Sequence, residues 1–309
     1  MDKSLLTPRA AALERIKAMV LDSLPSLESK RAYRHALDDF FHWSDVEGVG
    51  AFTKTAVNAY RTSLEARKLS SSSINLRLCA IRKLALEAAD NGLISSDLAA
   101  SISRVRGAKQ IGVRCGKWLP RDQAERLIDV PNASTVKGKR DRAVLAVLLG
   151  CGLRRRECVE LAVEHIQLRE LRWVIVDLIG KGQRVRTVPM PSWTKAAIDD
   201  WLRAASIAEG VIFRPVNRSG RTTGTIMTTR AIFDVVRSCG QAIGVSALAP
   251  HDLRRTFAKL AHKGRAGLDQ IQLSLGHASI TTTERYLGVR QDLADAPCDH
   301  LGLTIVVRQ

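Results

Sequence analysis

Apolar residues recur at three- and four-residue spacing through most of the first third of the chain. Residues 11–24, 29–43, 54–66 and 73–91 each follow this rule, and in the last of them Ile74, Leu78, Ile81, Leu84 and Ala88 form one stripe. That period marks a helix with one buried face, so four helices are expected. The run Ser70-Ser71-Ser72-Ser73 has the composition of a linker. It directly precedes the strongest helical period, however, where a serine oxygen can accept a free backbone N–H, and a helix N-cap is favoured.

Further along, residues 122–128 and 138–149 read as helices, and 143–153 is the longest apolar run. Two glycines interrupt it, and it falls well short of the ~18 residues a membrane span needs, so it is expected to be core. The period then changes. Residues 173–179 and 184–188 are rich in β-branched side chains and flank Gly180-Lys181-Gly182-Gln183, which predicts a hairpin with Lys181 at an exposed turn. Helical spacing returns at 195–208, 228–243, 252–262 and 268–275. The fold class expected is mainly α with a small antiparallel β-sheet in the C-terminal domain. No repeat of 20–50 residues and no low-complexity tract is present.

Between the two regions, residues 103–117 contain Arg104, Arg106, Lys109, Arg114 and Lys117 with three glycines and no acid. The expected organisation is a helical domain over 1–103, a basic linker over 104–117 and a second domain over 118–309. The linker reads equally as a solvated loop or as a strap along phosphates. The total of 309 residues exceeds the ~100–200 typical of one domain, in keeping with two.

Charge changes the picture most. The chain carries 48 basic and 31 acidic residues, a net +17, and both parts contribute: a surplus of five over residues 1–109 and of twelve over 110–309. A surplus of this size favours a phosphate-backbone partner over a basic surface kept for solubility. With 45% hydrophobic and 26% charged residues, the composition is globular and excludes disordered and collagen-like classes. The six cysteines form no C-x-x-C pair and have no histidine at zinc spacing, so reduced packing residues are expected. His35, His42, His165, His262 and His300 make no ligand cluster; no metal and no cofactor is expected. The first residues, Met1-Asp2-Lys3-Ser4, lead into no apolar signal segment, which gives the expectation of a cytoplasmic, nucleoid-associated protein with no membrane partner.

Four separated pieces carry candidate chemistry. Gly152-Leu153-Arg154-Arg155-Arg156-Glu157 puts a dense cation group beside an apolar helix. His251-Asp252-Leu253-Arg254-Arg255-Thr256 places His251 and Arg254 three apart, on one helix face. Leu275-Gly276-His277 is a turn, and Thr281-Thr282-Thr283-Glu284 after it has the S/T-x-x-E pattern of a capping box that would start a helix carrying Tyr286. Lys181 completes the set, and Tyr286 is the sole tyrosine of the second domain.

In these residues the chain resembles a tyrosine recombinase of the phage-integrase family, in its two-domain Xer-like form. Gly152-Leu153-Arg154 with Glu157 is similar to the family's first arginine box, Gly180-Lys181-Gly182 to its hairpin lysine, His251-x-Leu253-Arg254 to its second box, and Leu275-Gly276-His277 with Tyr286 to its last. The resemblance implies a tyrosine-recombinase catalytic fold preceded by a helical core-binding domain. It implies that Arg154, Lys181, His251, Arg254 and His277 surround a scissile phosphate and that Tyr286 attacks it. Arg104, Arg106, Lys109, Arg155, Arg156 and Arg255 are the DNA-backbone candidates. The implied activity is site-specific cleavage and rejoining of double-stranded DNA through a 3′-phosphotyrosyl intermediate, by a homotetramer on paired sites, as in integration of mobile elements. The alternatives are a DNA-binding relative that no longer cuts and a type IB topoisomerase that relaxes supercoils.

Three positions depart from the commonest family pattern. His165 stands where Asp is frequent, Arg255 where a second histidine is frequent, and Arg156 where a small residue is usual. Beyond Tyr286, the apolar, β-branched run 301–307 would be aggregation-prone if left bare. It is expected to dock on its own domain in the free protein and on a neighbour in the DNA complex.

Overall fold

A computed structural model describes residues 7–109, 117–180 and 184–288. Lys181, residues 110–116 of the basic linker, Cys115, Cys298, His300 and the apolar run 301–307 lie outside the described residues. The chain divides after Gly112 into two compact units.

Among the described residues, the first unit holds five helices: α1 (Thr7–Asp22), α2 (Leu27–Val46), α3 (Lys54–Ala66), α4 (Ser71–Asp90) and α5 (Ser96–Ser103). Four of them start at a hydroxyl that accepts the N–H three residues on: Ser26, Thr53, Ser70 and Ser95. Such caps contribute about 1 kcal/mol each, and the serine run is indeed a cap. The helix α4 packs against the other four. Its stripe Ile74, Leu78, Ile81, Leu84 and Ala88 is buried with Leu37, Phe40, Val57, Tyr60 and Leu64. The sequence pattern gave four helices, and α5 is the addition. It is eight residues long with only Ala99 and Ile102 buried, which leaves no apolar stripe to read. Under the core, Asp39 of α2 accepts from Tyr60 of α3 at 2.6 Å, from Arg77 of α4 at 3.0 Å and from both terminal nitrogens of Arg67 at 3.1 and 3.2 Å.

The second unit comprises α6 (Arg121–Asp129), α7 (Val136–Gly150), α8 (Arg155–Val159), β1 (Ile166–Arg169), β2 (Arg172–Ile179), β3 (Val185–Pro189), α9 (Ser192–Ala204), α10 (Thr229–Ala242), α11 (Pro250–Lys263), α12 (Leu268–Leu275) and α13 (Ile280–Leu287). The strands form an antiparallel sheet in the order β1-β2-β3. The strand β1 escaped the sequence pattern because it is four residues long and largely exposed. The apolar run 143–149 is wholly buried in α7, which packs against α9 and α11. Among the described residues no helix is long and apolar enough to cross a membrane. A smaller apolar group, Ala258, Ile271, Leu275 and Leu287, joins α11, α12 and α13 and seats the candidate site.

Candidate active site

The first arginine is positioned by a glycine and a glutamate. Gly152 has φ +60°, and a Cβ there would lie 2.6 Å from the Phe257 ring, so only glycine fits this turn without strain. Arg154 follows as the N-cap of α8. Glu157, buried in the first turn of that helix, accepts the Arg154 backbone N–H at 2.7 Å and Arg154 Nη1 at 2.7 Å. It also takes both terminal nitrogens of Arg186 on β3, at 2.9 and 2.8 Å. Burial alone would raise the Glu157 carboxyl; the Arg186 hydrogen bonds and the Arg154 N–H outweigh it and hold the pKa at about 2. One fixed anion thus fastens two guanidinium groups.

The third box is tied to the same pair. Arg154 Nη2 donates to the Gly276 carbonyl at 3.2 Å and Arg186 Nε to the Ser274 carbonyl at 3.0 Å. Gly276 ends α12 with φ +62°, and a Cβ there would come within 2.9 Å of Arg186 Cδ. A side chain at this turn would therefore displace Arg186 and strain the backbone at once.

The helix α11 begins with Pro250, whose missing N–H costs nothing at this position, and Asp252 accepts the Ala249 N–H at 3.1 Å. Arg254, only 1% exposed, donates Nη1 to the Gly152 carbonyl at 2.6 Å and Nη2 to the Leu275 carbonyl, while its buried Nε has no partner. Burial and the neighbouring Arg154 lower its pKa to about 10, which leaves it charged at neutral pH.

The helix α13 starts earlier than the S/T-x-x-E pattern places it. Its N-cap is Ser279, which accepts from the Thr281 N–H, so Thr281 and Glu284 do not form the expected capping box. The shift frees Thr283 to turn inward, fully buried, with its hydroxyl 2.9 Å from His277 Nδ1. Tyr286 rests against the small apolar group. Its hydroxyl lies 3.0 Å from His251 Nε2 and 3.2 Å from the His251 carbonyl. The His251 and His277 rings both meet the phenol edge-on, each at 5.3 Å between centroids, and Arg255 Cζ lies 4.7 Å from the phenol centroid.

Burial and the two arginines govern the titration of these groups. Burial first, then Arg254, lowers His251; the same causes with Arg154 bring His277 down to about 4. Both imidazoles are neutral at pH 7. Burial raises the Tyr286 phenol, and Arg254 and Arg255 oppose it.

Five of the six residues expected to act on a phosphate, Arg154, His251, Arg254, His277 and Tyr286, are therefore gathered at one place in the second unit. Lys181 lies outside the described residues, but the adjoining Gly180 is described. A Cβ on Gly180 would lie 3.2 Å from Arg186 Nη1 and 3.3 Å from Arg154 Nη1, so the residue just before Lys181 lies beside the arginine pair. Of the backbone candidates, Arg104, Arg106 and Lys109 are exposed at the end of the first unit, and Arg155 and Arg156 are exposed on α8, with Arg156 paired to Glu160 at 2.8 Å. Arg255 is different: it is 14% exposed, against Tyr286 and 3.5 Å from Asp252. His165, at the position where Asp is frequent, accepts the Ala162 backbone N–H on Nδ1 at 3.2 Å. Cys151, Cys158 and Cys239 are buried and unpaired, whereas Cys79 is exposed. Among the described residues no group of His, Cys, Asp and Glu could hold a metal ion.

Sequence reasoning left out Arg186 and Thr283. Arg186 meets its carboxylate partner 29 residues away in sequence, a distance at which no local pattern speaks. Glu157 was legible only as part of the first box.

Comparison with known proteins places the chain in a family. The Phage integrase family profile matches residues 117–292, and that of the phage integrase N-terminal SAM-like domain matches 20–92. A tyrosine recombinase XerC of Pseudomonas putida (strain W619) is 30% identical over 262 residues, covering 82% of this chain and 83% of that protein. A tyrosine recombinase XerD of Bifidobacterium longum (strain NCC 2705) is 29% identical over 279 residues, covering 84% and 85%. In fold, the chain is similar to a XerH site-specific recombinase bound to palindromic difH substrate, with a TM-score of 0.69 at 20% identity, over 85% of this chain and 77% of that one. It is also similar to a lambda integrase dimer bound to a COC′ core site, with a TM-score of 0.67 at 16% identity, over 90% and 94%. The chain belongs to the phage integrase family and is a tyrosine site-specific recombinase.

Proposed function

We propose that this protein cuts and rejoins double-stranded DNA at paired specific sites, with Tyr286 as the nucleophile. The observation that carries the reading is the Tyr286 hydroxyl 3.0 Å from the imidazole of His251, in a cluster with Arg154 and Arg254. A phosphodiester gains negative charge as it becomes five-coordinate. Arg154 and Arg254, held by carbonyls and Glu157, are donors already in place for that charge. Tyr286 Oη attacks phosphorus as the P–O5′ bond breaks; neutral His251 accepts the phenol proton, and Lys181 supplies a proton to the departing 5′ oxygen. His277, with Nδ1 engaged by Thr283, presents Nε2 to a nonbridging oxygen. The 3′-phosphotyrosyl bond retains the energy for attack by a different 5′ hydroxyl, so neither step needs a metal or nucleotide.

The net charge of +17 and the exposed Arg104, Arg106, Lys109, Arg155 and Arg156 support the DNA partner. Exchange between two sites needs four active centres, and a homotetramer supplies them. The test is a suicide substrate, whose cleaved fragment diffuses away and traps the covalent adduct. Wild type should form it on a denaturing gel, while Tyr286→Phe should bind DNA and form none. A Phe variant that still forms the adduct removes Tyr286 from this role. A wild type that binds without cutting points to a silent relative, and relaxation without exchange between sites to a topoisomerase.

A further inference from the structure

Arg255 differs from the surface cations with which its sequence position groups it. It is 14% exposed, it follows Asp252 by three residues on α11 with Nη1 3.5 Å from that carboxylate, and its Cζ stands 4.7 Å from the Tyr286 ring centroid. Asp252 is itself pinned, because its other oxygen accepts the Ala249 N–H at the start of α11. The guanidinium is therefore held at one end by an anchored carboxylate and rests against an aromatic ring at the other. A cation over a phenol is attracted by the negative face of the ring, and the attraction grows to a full charge pair once the phenol loses its proton.

Other groups also act on the phenol, but among the described residues Arg255 is the one whose guanidinium stands over its ring. His251 of α11 and His277 of the turn after α12 approach edge-on and are neutral at pH 7. Arg254, first, and Arg154 also favour the ionised phenol, but they are anchored on carbonyls and Glu157 at the phosphate-facing cluster and not on the ring itself. Asp252, the acid facing the phenol, opposes ionisation. By pairing with Asp252, Arg255 both cancels that opposition and adds its own charge. A histidine here would be neutral above its ordinary pKa of ~6.5; arginine stays charged at every working pH.

We propose that Arg255 is a positioning residue for Tyr286: docked on the phenol and tethered to Asp252, it holds the ring toward the phosphate and stabilises the negative charge that develops on its oxygen during attack. The inference rests on Tyr286 being the nucleophile. It removes Arg255 from the set of DNA-backbone contacts.

The test is single-turnover cleavage of the suicide substrate across pH by wild type and Arg255→Met, with DNA affinity measured against salt in parallel. Cleavage by Arg255→Met should be about tenfold slower at pH 7, the rising limb of its pH profile moved up by about one pH unit, the shift equivalent to that fold-change. Affinity and salt slope should not change. Replacing tyrosine by 3-fluorotyrosine, whose phenol is more acidic, should restore most of the lost rate, which loss of packing alone would not allow. Arg255→Gln, neutral and of similar length, carries the same expectations if the Met variant melts early. An unshifted pH limb, or no recovery with fluorotyrosine, overturns the proposal. So does weaker binding with a salt slope flatter by ~0.9, the mark of a lost phosphate contact. The Tyr286→Phe control separates the failures: an adduct formed by that variant defeats the nucleophile reading, whereas wild-type kinetics in the Arg255 variants defeat this inference alone.

Discussion

Glu157 accepts four hydrogen bonds from Arg154 and Arg186, with Glu157 and Arg186 5% and 8% exposed. A carboxylate and a guanidinium taken from water offset their desolvation only through such geometry, and removing one partner leaves the other charge stranded. Glu157→Gln keeps the volume but loses the charge, and its amide turns an N–H toward the guanidiniums. The expected outcome is a loss of about 3 kcal/mol in urea unfolding, with cleavage slowed by more than the binding of DNA. If unfolding free energy and cleavage both match wild type, the bridge holds nothing in place. At this scale the site was half legible. Arg154, His251, Arg254, His277 and Tyr286 could be named because short motifs hold them, whereas Arg186 and Thr283 act through partners that only the fold brings near.

The helices were the most legible elements, because a buried stripe at helical period survives any tertiary arrangement, and the serine run at Ser70 marked where α4 begins. The elements α5 and β1 were missed, since α5 buries only Ala99 and Ile102 and β1 is four residues long and largely exposed, and α13 was started late because one serine and three threonines compete as caps. Between elements, the tie at Asp39 joins α2, α3 and α4. Burial would raise its carboxyl, but the hydrogen bonds from Arg67, Tyr60 and Arg77 bring the pKa to about 2, below the ordinary value of ~3.9. The unfolded chain therefore takes up the proton first as pH falls. The stabilisation is complete above about pH 5 and is lost as pH falls from about 4 to 2. Asp39→Asn should lose about 2 kcal/mol at pH 7, with the difference from wild type shrinking toward zero over that window. Urea unfolding at a series of pH values decides it: a difference that persists at pH 2 assigns the effect to packing instead of charge.

At the scale of the molecule, charge is distributed over both units, with surpluses of five and twelve, so neither alone accounts for attraction to a polyanion. Some of the basic residues are taken up inside the fold, since Arg140 pairs with Asp141, Arg186 with Glu157, and Arg67 and Arg77 with Asp39. The cations free to displace counterions from DNA are the exposed ones, and the end of the first unit presents three, Arg104, Arg106 and Lys109, with no acid from Ser103 to Lys117. Composition alone left this segment balanced between a solvated loop and a phosphate strap, and the two make different demands on salt. A phosphate contact releases counterions, so its removal weakens binding to every DNA sequence alike and lowers the slope of log affinity against log salt by ~0.9. A solvated loop changes neither. Replacing Arg104, Arg106 and Lys109 together with Gln should weaken specific and nonspecific affinity in parallel and flatten the slope by up to ~2.7, three times the single-contact value. The fold should be unaffected, because none of the three side chains is buried. Fluorescence anisotropy with a labelled duplex over a salt series measures both quantities. An unchanged slope makes the segment a solvated connector, and a loss confined to one DNA sequence makes these residues readers of bases.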